Sequence, residues 1–147
     1  MRITKDKALQ LLKEFSLRAT APRIAVLRAL ASSADPLSHT EVLKHLGKTE
    51  CDPATIYRSL VKLRDVGLAT VVSRAEGIDR YAFTPKQNEG HSHPHFLCED
   101  CGRVACLPTE LAESISMKGP WARSIQNALV QFRGECPDCI DHSRKDR

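Results

Sequence analysis

The stretch His91-Ser-His-Pro-His-Phe-Leu-Cys-Glu-Asp-Cys-Gly102 places three histidines and two cysteines within twelve residues. Alternate residues of an extended strand point to the same face, so the three imidazoles can share one side, although Pro94 limits the regularity of such a strand. Cys98 and Cys101 have the two-residue gap at which a tight turn lets both thiolates reach one tetrahedral ion. The stretch therefore predicts a metal site.

A second Cys-x-x-Cys pair stands far downstream, at Cys136 and Cys139. Either pair alone is compatible with a redox dithiol, but two pairs together supply the four sulfurs of a closed structural zinc site. Disulfides are the alternative, yet Cys51 and Cys106 fall outside the pairs, a division that a disulfide framework would not particularly predict. We therefore predict structural Zn²⁺ on four thiolates: Cys98, Cys101, Cys136 and Cys139.

No stretch of the sequence predicts a membrane segment. The N-terminus lacks an apolar leader, and no apolar run approaches the roughly 18 residues of a spanning helix. Of the 147 residues, 41% are apolar and 27% charged, as in an ordinary globular protein. We expect a cytoplasmic protein without a membrane partner, and reducing conditions there favour metal over disulfides.

The basic excess is confined to the first half of the chain. Up to Phe83 there are 14 Lys and Arg against 9 Asp and Glu, which leaves 8 against 9 for the remainder. A basic segment followed by a slightly acidic one suggests that the first half meets a polyanion. A solvated basic surface without a partner remains the alternative on charge alone.

The first 83 residues carry the signals of four helices. Pro22 suits the first turn of a second helix, and Ser38-His-Thr-Glu41 has the form of a capping box before a short third helix. Asp52 as cap and Pro53 at the first position begin a fourth helix, which ends before Gly67. Two β-prone runs follow and predict a hairpin, so this half is predicted to be a winged helix-turn-helix.

The outer face of the fourth helix mixes hydroxyl, aromatic and cationic side chains that can contact bases and phosphates in a major groove. An ordinary wet helix face is the alternative. In a winged helix the hairpin cations Arg74 and Arg80 can lie along the DNA backbone. The predicted DNA-binding residues are Arg23, Thr55, Tyr57, Arg58, Lys62 and Arg74.

The remaining residues form a unit too small to bury much apolar surface, so a metal, a partner chain or both must support it. Strands are predicted on either side of Cys98 and Cys101, with a helix from Thr109 and a final strand around Ala128–Phe132. The fold class is thus α+β. A winged-helix domain (1–83) and a hinge (84–90) precede a small α/β dimerisation and metal-binding domain (91–147).

The chain resembles the ferric uptake regulator (Fur) family nearly from end to end. The resemblance rests on Asp52-Pro-Ala-Thr-Ile-Tyr-Arg58, His93-Pro-His95-Phe-Leu-Cys98-x-x-Cys101-Gly102 and Gly134-Glu-Cys136-x-x-Cys139. It implies a homodimeric transcription factor, usually a repressor, that binds a double-stranded DNA operator. It also implies a structural zinc on the four cysteines and a regulatory divalent metal at the hinge.

Departures from the family pattern bear on the metal that is sensed. Pro36 and Ala82 stand where the family often has a ligand histidine and an acidic ligand, and Cys106 stands where an acidic residue is expected. A regulatory site of His93, His95 and Cys106, with His91, His39 or Asp79 as a further ligand, would be rich in nitrogen and sulfur, which suits Zn²⁺. The chain is therefore most similar to the zinc uptake regulator (Zur) branch, unless Cys106 is simply a buried core residue.

Other classes of function remain as alternatives. An iron-, manganese- or peroxide-responsive Fur-family regulator is one, and a thiol redox sensor with structural zinc only is another. An enzyme is not expected, because no nucleophile elbow, phosphate-cradling loop or acid–base partner accompanies the ligands. No small organic substrate is expected either.

Overall fold

The computed structural model describes residues 2–48, 51–84, 93–113, 118–124 and 130–145. The chain divides into two compact units, Met1–His91 and Ser92–Arg147, each with helices and a three-stranded sheet, so the α+β fold class is confirmed. The predicted boundaries at 83 and 91 stay a prediction, since hinge residues 85–90 lie outside the described residues. Within the described part of the chain, no helix is long and apolar enough to span a membrane.

Four helices build the first unit, and their starts follow the sequence signals. The Asp52 carboxylate accepts a hydrogen bond from the Thr55 amide at 2.9 Å, as expected of an N-cap, and Pro53 occupies the first helical position. The inner face of the fourth helix, including Ile56 and Leu60, is fully buried against the second and third helices. The helices are α1 (Lys5–Glu14), α2 (Ala21–Ser32), α3 (His39–Leu46) and α4 (Pro53–Asp65).

The sheet of the first unit contains the predicted hairpin and one strand that the sequence did not reveal. Strands β2 (Ala69–Ser73) and β3 (Arg80–Phe83) pair antiparallel, and a two-residue strand β1 (Leu37–Ser38) joins the other edge of β3. Leu37 pairs with Tyr81, which is itself 1% exposed. The wing is therefore anchored to the segment that enters α3.

An ion pair between a buried arginine and a half-buried glutamate joins the wing to the start of α3. The Glu41 carboxylate accepts the Ser38 amide at 2.7 Å, which completes the capping box, and it also accepts the Arg80 guanidinium. Arg80 is only 9% exposed. The expectation that Arg80 lies along a DNA backbone was therefore wrong, because its buried guanidinium pairs with the half-buried Glu41 carboxylate.

The second unit is built on the sheet order β5-β4-β6, with β4 antiparallel to β5 and parallel to β6. Its strands are β4 (His95–Cys98), β5 (Val104–Cys106) and β6 (Gln131–Gly134), and its helices are α5 (Glu110–Glu113), α6 (Trp121–Ser124) and α7 (Pro137–Lys145). The last strand begins at Gln131 rather than near Ala128, because its pairing with β4 places Gly134 opposite Cys98. Helix α7 was not predicted.

We expect Glu41→Gln to lower the free energy of unfolding at neutral pH by about 1–3 kcal/mol, because Arg80 then keeps a buried charge without its counter-ion. Burial raises the pKa of Glu41, but hydrogen bonds from Ser38 and Arg80 outweigh burial and hold it below the ordinary 4.5. The stabilisation by the carboxylate is thus present above pH 4.5 and is lost as the pH falls through the folded-state pKa.

Denaturant unfolding of both proteins from neutral pH down to about pH 3 measures this effect. The difference between wild type and Glu41→Gln should shrink on acidification. A difference that stays constant over the whole range would contradict the role given to this carboxylate.

Candidate metal centres and DNA-binding face

The four paired cysteines meet at one end of the sheet of the second unit. Cys98 ends β4, and Cys101 follows it across a turn in which Gly102 has φ +73°. Cys136 follows β6, and Cys139 lies in the first turn of α7. Because β4 and β6 are parallel neighbours, they deliver both pairs to the same edge.

The spacing of the four sulfurs matches a tetrahedral ion. The Sγ atoms of Cys98 and Cys139 are 3.8 Å apart, as are those of Cys101 and Cys136, and all four lie within 4.8 Å of one another. A zinc–sulfur bond of about 2.3 Å gives a sulfur–sulfur separation of about 3.8 Å in a regular tetrahedron. The donor set and its geometry therefore fit Zn²⁺.

Backbone amides favour the thiolate form of Cys98. Its Sγ accepts the Cys101 amide at 3.5 Å and the Cys136 amide at 3.2 Å. These hydrogen bonds, led by that of Cys101, lower the pKa of Cys98 to about 6. A hydrogen bond with Asp100 and the neighbouring sulfurs instead raise the pKa of Cys139. One thiolate thus forms readily, whereas ionising the whole cluster requires a cation.

A second group of metal-ligating atoms lies at the other end of β4. His95 in β4 pairs with Cys106 in β5, so their side chains are cross-strand neighbours. The ring centroids of His93 and His95 are 4.9 Å apart, and the ligand atoms of His93, His95 and Cys106 all lie within 4.8 Å. The fourth predicted regulatory residue, His91, lies outside the described residues.

Burial keeps these two imidazoles neutral at physiological pH. His95 is fully buried, and burial, with a smaller contribution from His93, lowers its pKa to about 4. Burial also lowers the pKa of His93. A neutral imidazole has a ring nitrogen lone pair with which to bind a metal, so the cluster fits a divalent cation in its nitrogen and sulfur donors.

Helix α4 presents a polar outer face that begins at its cap. The Thr55 hydroxyl donates to the Asp52 carboxylate at 2.7 Å and accepts from the Arg58 guanidinium at 3.0 Å. These hydrogen bonds lower the pKa of Asp52, chiefly through Thr55. Tyr57 is 50% exposed, and Lys62 is exposed one turn beyond Arg58. One helix face thus carries four of the six predicted DNA-binding residues.

The other two predicted DNA-binding residues lie on different elements. Arg74 follows β2, and its side chain is 70% exposed although Asp79 approaches it at 3.5 Å. Arg23 in α2 donates to the Arg18 carbonyl at 2.8 Å, so one guanidinium nitrogen is hydrogen-bonded to the loop before α2. Their roles in DNA binding stay predictions.

The sequence suggested His39 only as a further ligand of the regulatory metal and not as a partner of α4. Its Nε2 donates to the Pro53 carbonyl at 2.8 Å, and its ring meets that of Tyr57 edge-on. The sequence signal for this contact was the position of His39 directly after the Ser38 cap, because the first turn of α3 faces α4 in a helix-turn-helix.

Comparison with known proteins gives consistent results. Residues 14–127 match the ferric uptake regulator family. The ferric uptake regulation protein of Bacillus subtilis (strain 168) is 28% identical over 139 residues, which cover 91% of this chain and 93% of that protein. The peroxide-responsive repressor PerR of Staphylococcus aureus (strain Mu50) is 28% identical over 140 residues, which cover 92% and 91% respectively.

A solved structure of a zinc uptake regulator complexed with zinc and DNA has the same fold. It superposes with a TM-score of 0.61 at 20% identity and covers 95% of each chain. The family match extends over more than half of the sequence and includes α2, α3, α4, the wing and the sheet strands β4 and β5. The chain belongs to the ferric uptake regulator family, whose members are metal-responsive transcription regulators.

Proposed function

We propose that the protein is a zinc-responsive transcriptional repressor that binds a DNA operator as a homodimer. One observation carries the proposal: two separate clusters of metal-ligating atoms, one of four sulfurs and one of two nitrogens and a sulfur, lie on one small sheet. The four cysteines Cys98, Cys101, Cys136 and Cys139 would hold a structural Zn²⁺. The second cluster, with His91 as a further ligand, would hold the regulatory ion.

The donor atoms favour zinc over iron or manganese at the second site. Within the described residues this cluster has imidazole and thiolate donors and no carboxylate. Borderline-soft Zn²⁺ binds such donors well, whereas Mn²⁺ is better suited by carboxylate oxygen. The Cys106 sulfur is therefore the donor that most favours Zn²⁺ over Mn²⁺ at this site.

The position of the second cluster suggests how binding is communicated. His93 stands two residues before β4 and follows the predicted hinge, whereas His95 and Cys106 belong to the sheet. Sharing one ion would tie the end of the hinge to the sheet. The two winged helices of a dimer would then sample fewer spacings, and the spacing matched to a two-fold operator would gain population.

Two alternatives keep support from the relatives. The ferric uptake regulation protein and the peroxide-responsive repressor are each 28% identical to this chain, so overall similarity does not choose between their signals. Cys106 also provides a chemical route for a response to peroxide, because oxidation of its thiolate would remove the sulfur donor from the metal site. A metal titration and a peroxide titration of the same protein distinguish these cases.

The decisive experiment is a titration of DNA affinity with zinc, ferrous iron and manganese, using protein that already holds its structural zinc. We expect zinc to act at the lowest free concentration. Cys106→Ser and His93→Ala should each weaken that response by at least about tenfold, because each removes a ligand. Cys51→Ser is the matched cysteine control and should behave as wild type.

Three outcomes would overturn the regulatory assignment. The first is an equal change in DNA affinity with all three metals, and the second is an unchanged zinc response in Cys106→Ser. The third is a DNA affinity that does not change when metal is added. Loss of the response after brief peroxide treatment, with recovery on thiol reduction, would instead favour the redox alternative.

We expect Cys136→Ser to lower the zinc content by one ion per chain and to unfold the second unit. Few apolar side chains of that unit are fully buried among its described residues, Leu97 and Val104 foremost, so the metal must supply much of its stability. Hydrogen exchange of the β4 and β5 amides should rise, whereas that of α4 should not. Full zinc content with unchanged exchange would contradict the structural assignment.

We expect Lys62→Ala to weaken binding to operator and random DNA alike and to reduce the slope of log affinity against log salt by about 1, because one phosphate contact is lost. Lys118→Ala, an exposed lysine of the second unit, is the matched control. An unchanged salt slope for Lys62→Ala would remove this residue from the interface.

A further inference from the structure

His39 is placed by the cap of its own helix. It is the first residue of α3, and the capping box of Ser38 and Glu41 fixes the point at which that helix begins. The side chain of His39 therefore leaves the helix at a defined position. Its ring lies against the first turn of α4, the helix proposed to read DNA.

One imidazole contacts two points of α4 that lie about one turn apart. The His39 Nε2 is 2.8 Å from the Pro53 carbonyl oxygen, and because a carbonyl only accepts, Nε2 carries the proton. The same ring lies with its centroid 5.8 Å from that of Tyr57, at an interplanar angle of 81°. The hydrogen bond thus fixes the ring plane that Tyr57 meets edge-on.

The Tyr57 ring lies at the surface beside the His39 ring. It is 50% exposed, and the His39–Tyr57 pair borders a cleft of about 520 Å³ that Ile78 and Asp79 also line. A half-exposed tyrosine beside open space can occupy more than one rotamer. The edge-on contact favours one of them.

The fold of the first unit does not require this contact. Val42 of α3 and Ile56 of α4 are fully buried in the same apolar core, so the two helices are already packed together. His39 can therefore be changed without removing a core side chain. Replacing His39 should therefore change the orientation of the Tyr57 ring rather than the free energy of unfolding.

We propose that His39 is a positioning residue that sets the sequence selectivity of DNA binding by holding the Tyr57 ring in one orientation. The inference rests on the proposed function, because it assigns Tyr57 to the DNA-reading face. Selectivity is read at base edges, whereas phosphate contacts add affinity on every sequence. A change in the orientation of Tyr57 should therefore lower sequence selectivity more than it lowers the affinity for random DNA.

The test uses the full-length zinc-loaded protein and an operator selected from a random duplex pool by the wild type. We expect His39→Ala to lower the ratio of operator to random-DNA affinity roughly threefold to tenfold, the range typical of one aromatic contact. His39→Gln retains a donor but no ring and should lose as much. His39→Phe retains a ring but cannot donate to the Pro53 carbonyl, so it should recover only part of the ratio.

Two further variants separate positioning from other roles. In a Tyr57→Ala background, His39→Ala should have no additional effect, because its action passes through that ring. His45→Ala is the matched control, since this second histidine of α3 contacts Ser32 of α2 at 3.2 Å and does not serve α4. Nuclear magnetic resonance of the Tyr57 ring without DNA should show a single rotamer in the wild type, rotamer averaging in His39→Ala and less averaging in His39→Phe.

Additive effects of His39→Ala and Tyr57→Ala would overturn the inference, as would equal losses on operator and random DNA, which indicate a direct phosphate contact. An unchanged Tyr57 ring in His39→Ala would also overturn it. A wild-type protein that enriches no sequence from the pool would refute the proposed function itself, and the ring measurement then separates the two failures.

Discussion

Four sulfur atoms within 4.8 Å of one another are the constraint on which the second unit depends. Four thiolates so close repel one another, and the small sheet beside them has little apolar surface to support it. A divalent cation would lessen both difficulties, since it would neutralise charge and join the turn after β4 to the start of α7. The link between the two cysteine pairs depends on the parallel pairing of β4 with β6, which places Cys136 beside Cys98.

The parts of the fold that local sequence determines were predictable. Caps and first-turn prolines are satisfied within a few residues, so Ser38, Asp52 and Pro53 marked the starts of α3 and α4. The two Cys-x-x-Cys pairs were equally informative, because their spacing is itself a geometric requirement of the ligand. The grouping of His93 with His95 followed from strand periodicity. Cys106 was added only through the resemblance to the family, and its pairing opposite His95 is a finding of the structure.

The features that escaped prediction depend on contacts between distant residues. Arg80 looked like a wing cation available for phosphate, since nothing nearby in the sequence indicates a partner 39 residues away. The start of β6 was misplaced because a parallel strand takes its register from β4 rather than from its own pattern. His39 was considered only as a metal ligand, because its two contacts with the next helix are not visible in the local sequence.

The shared use of Glu41 has an evolutionary consequence. One carboxylate completes the cap of α3 and also neutralises Arg80 in the wing, so replacing Glu41 removes both interactions at once. A lineage that replaces Glu41 must replace the buried arginine as well, whereas loss of Arg80 alone leaves the cap intact. Positions 41 and 80 should therefore vary as a pair among close relatives, with the arginine lost first.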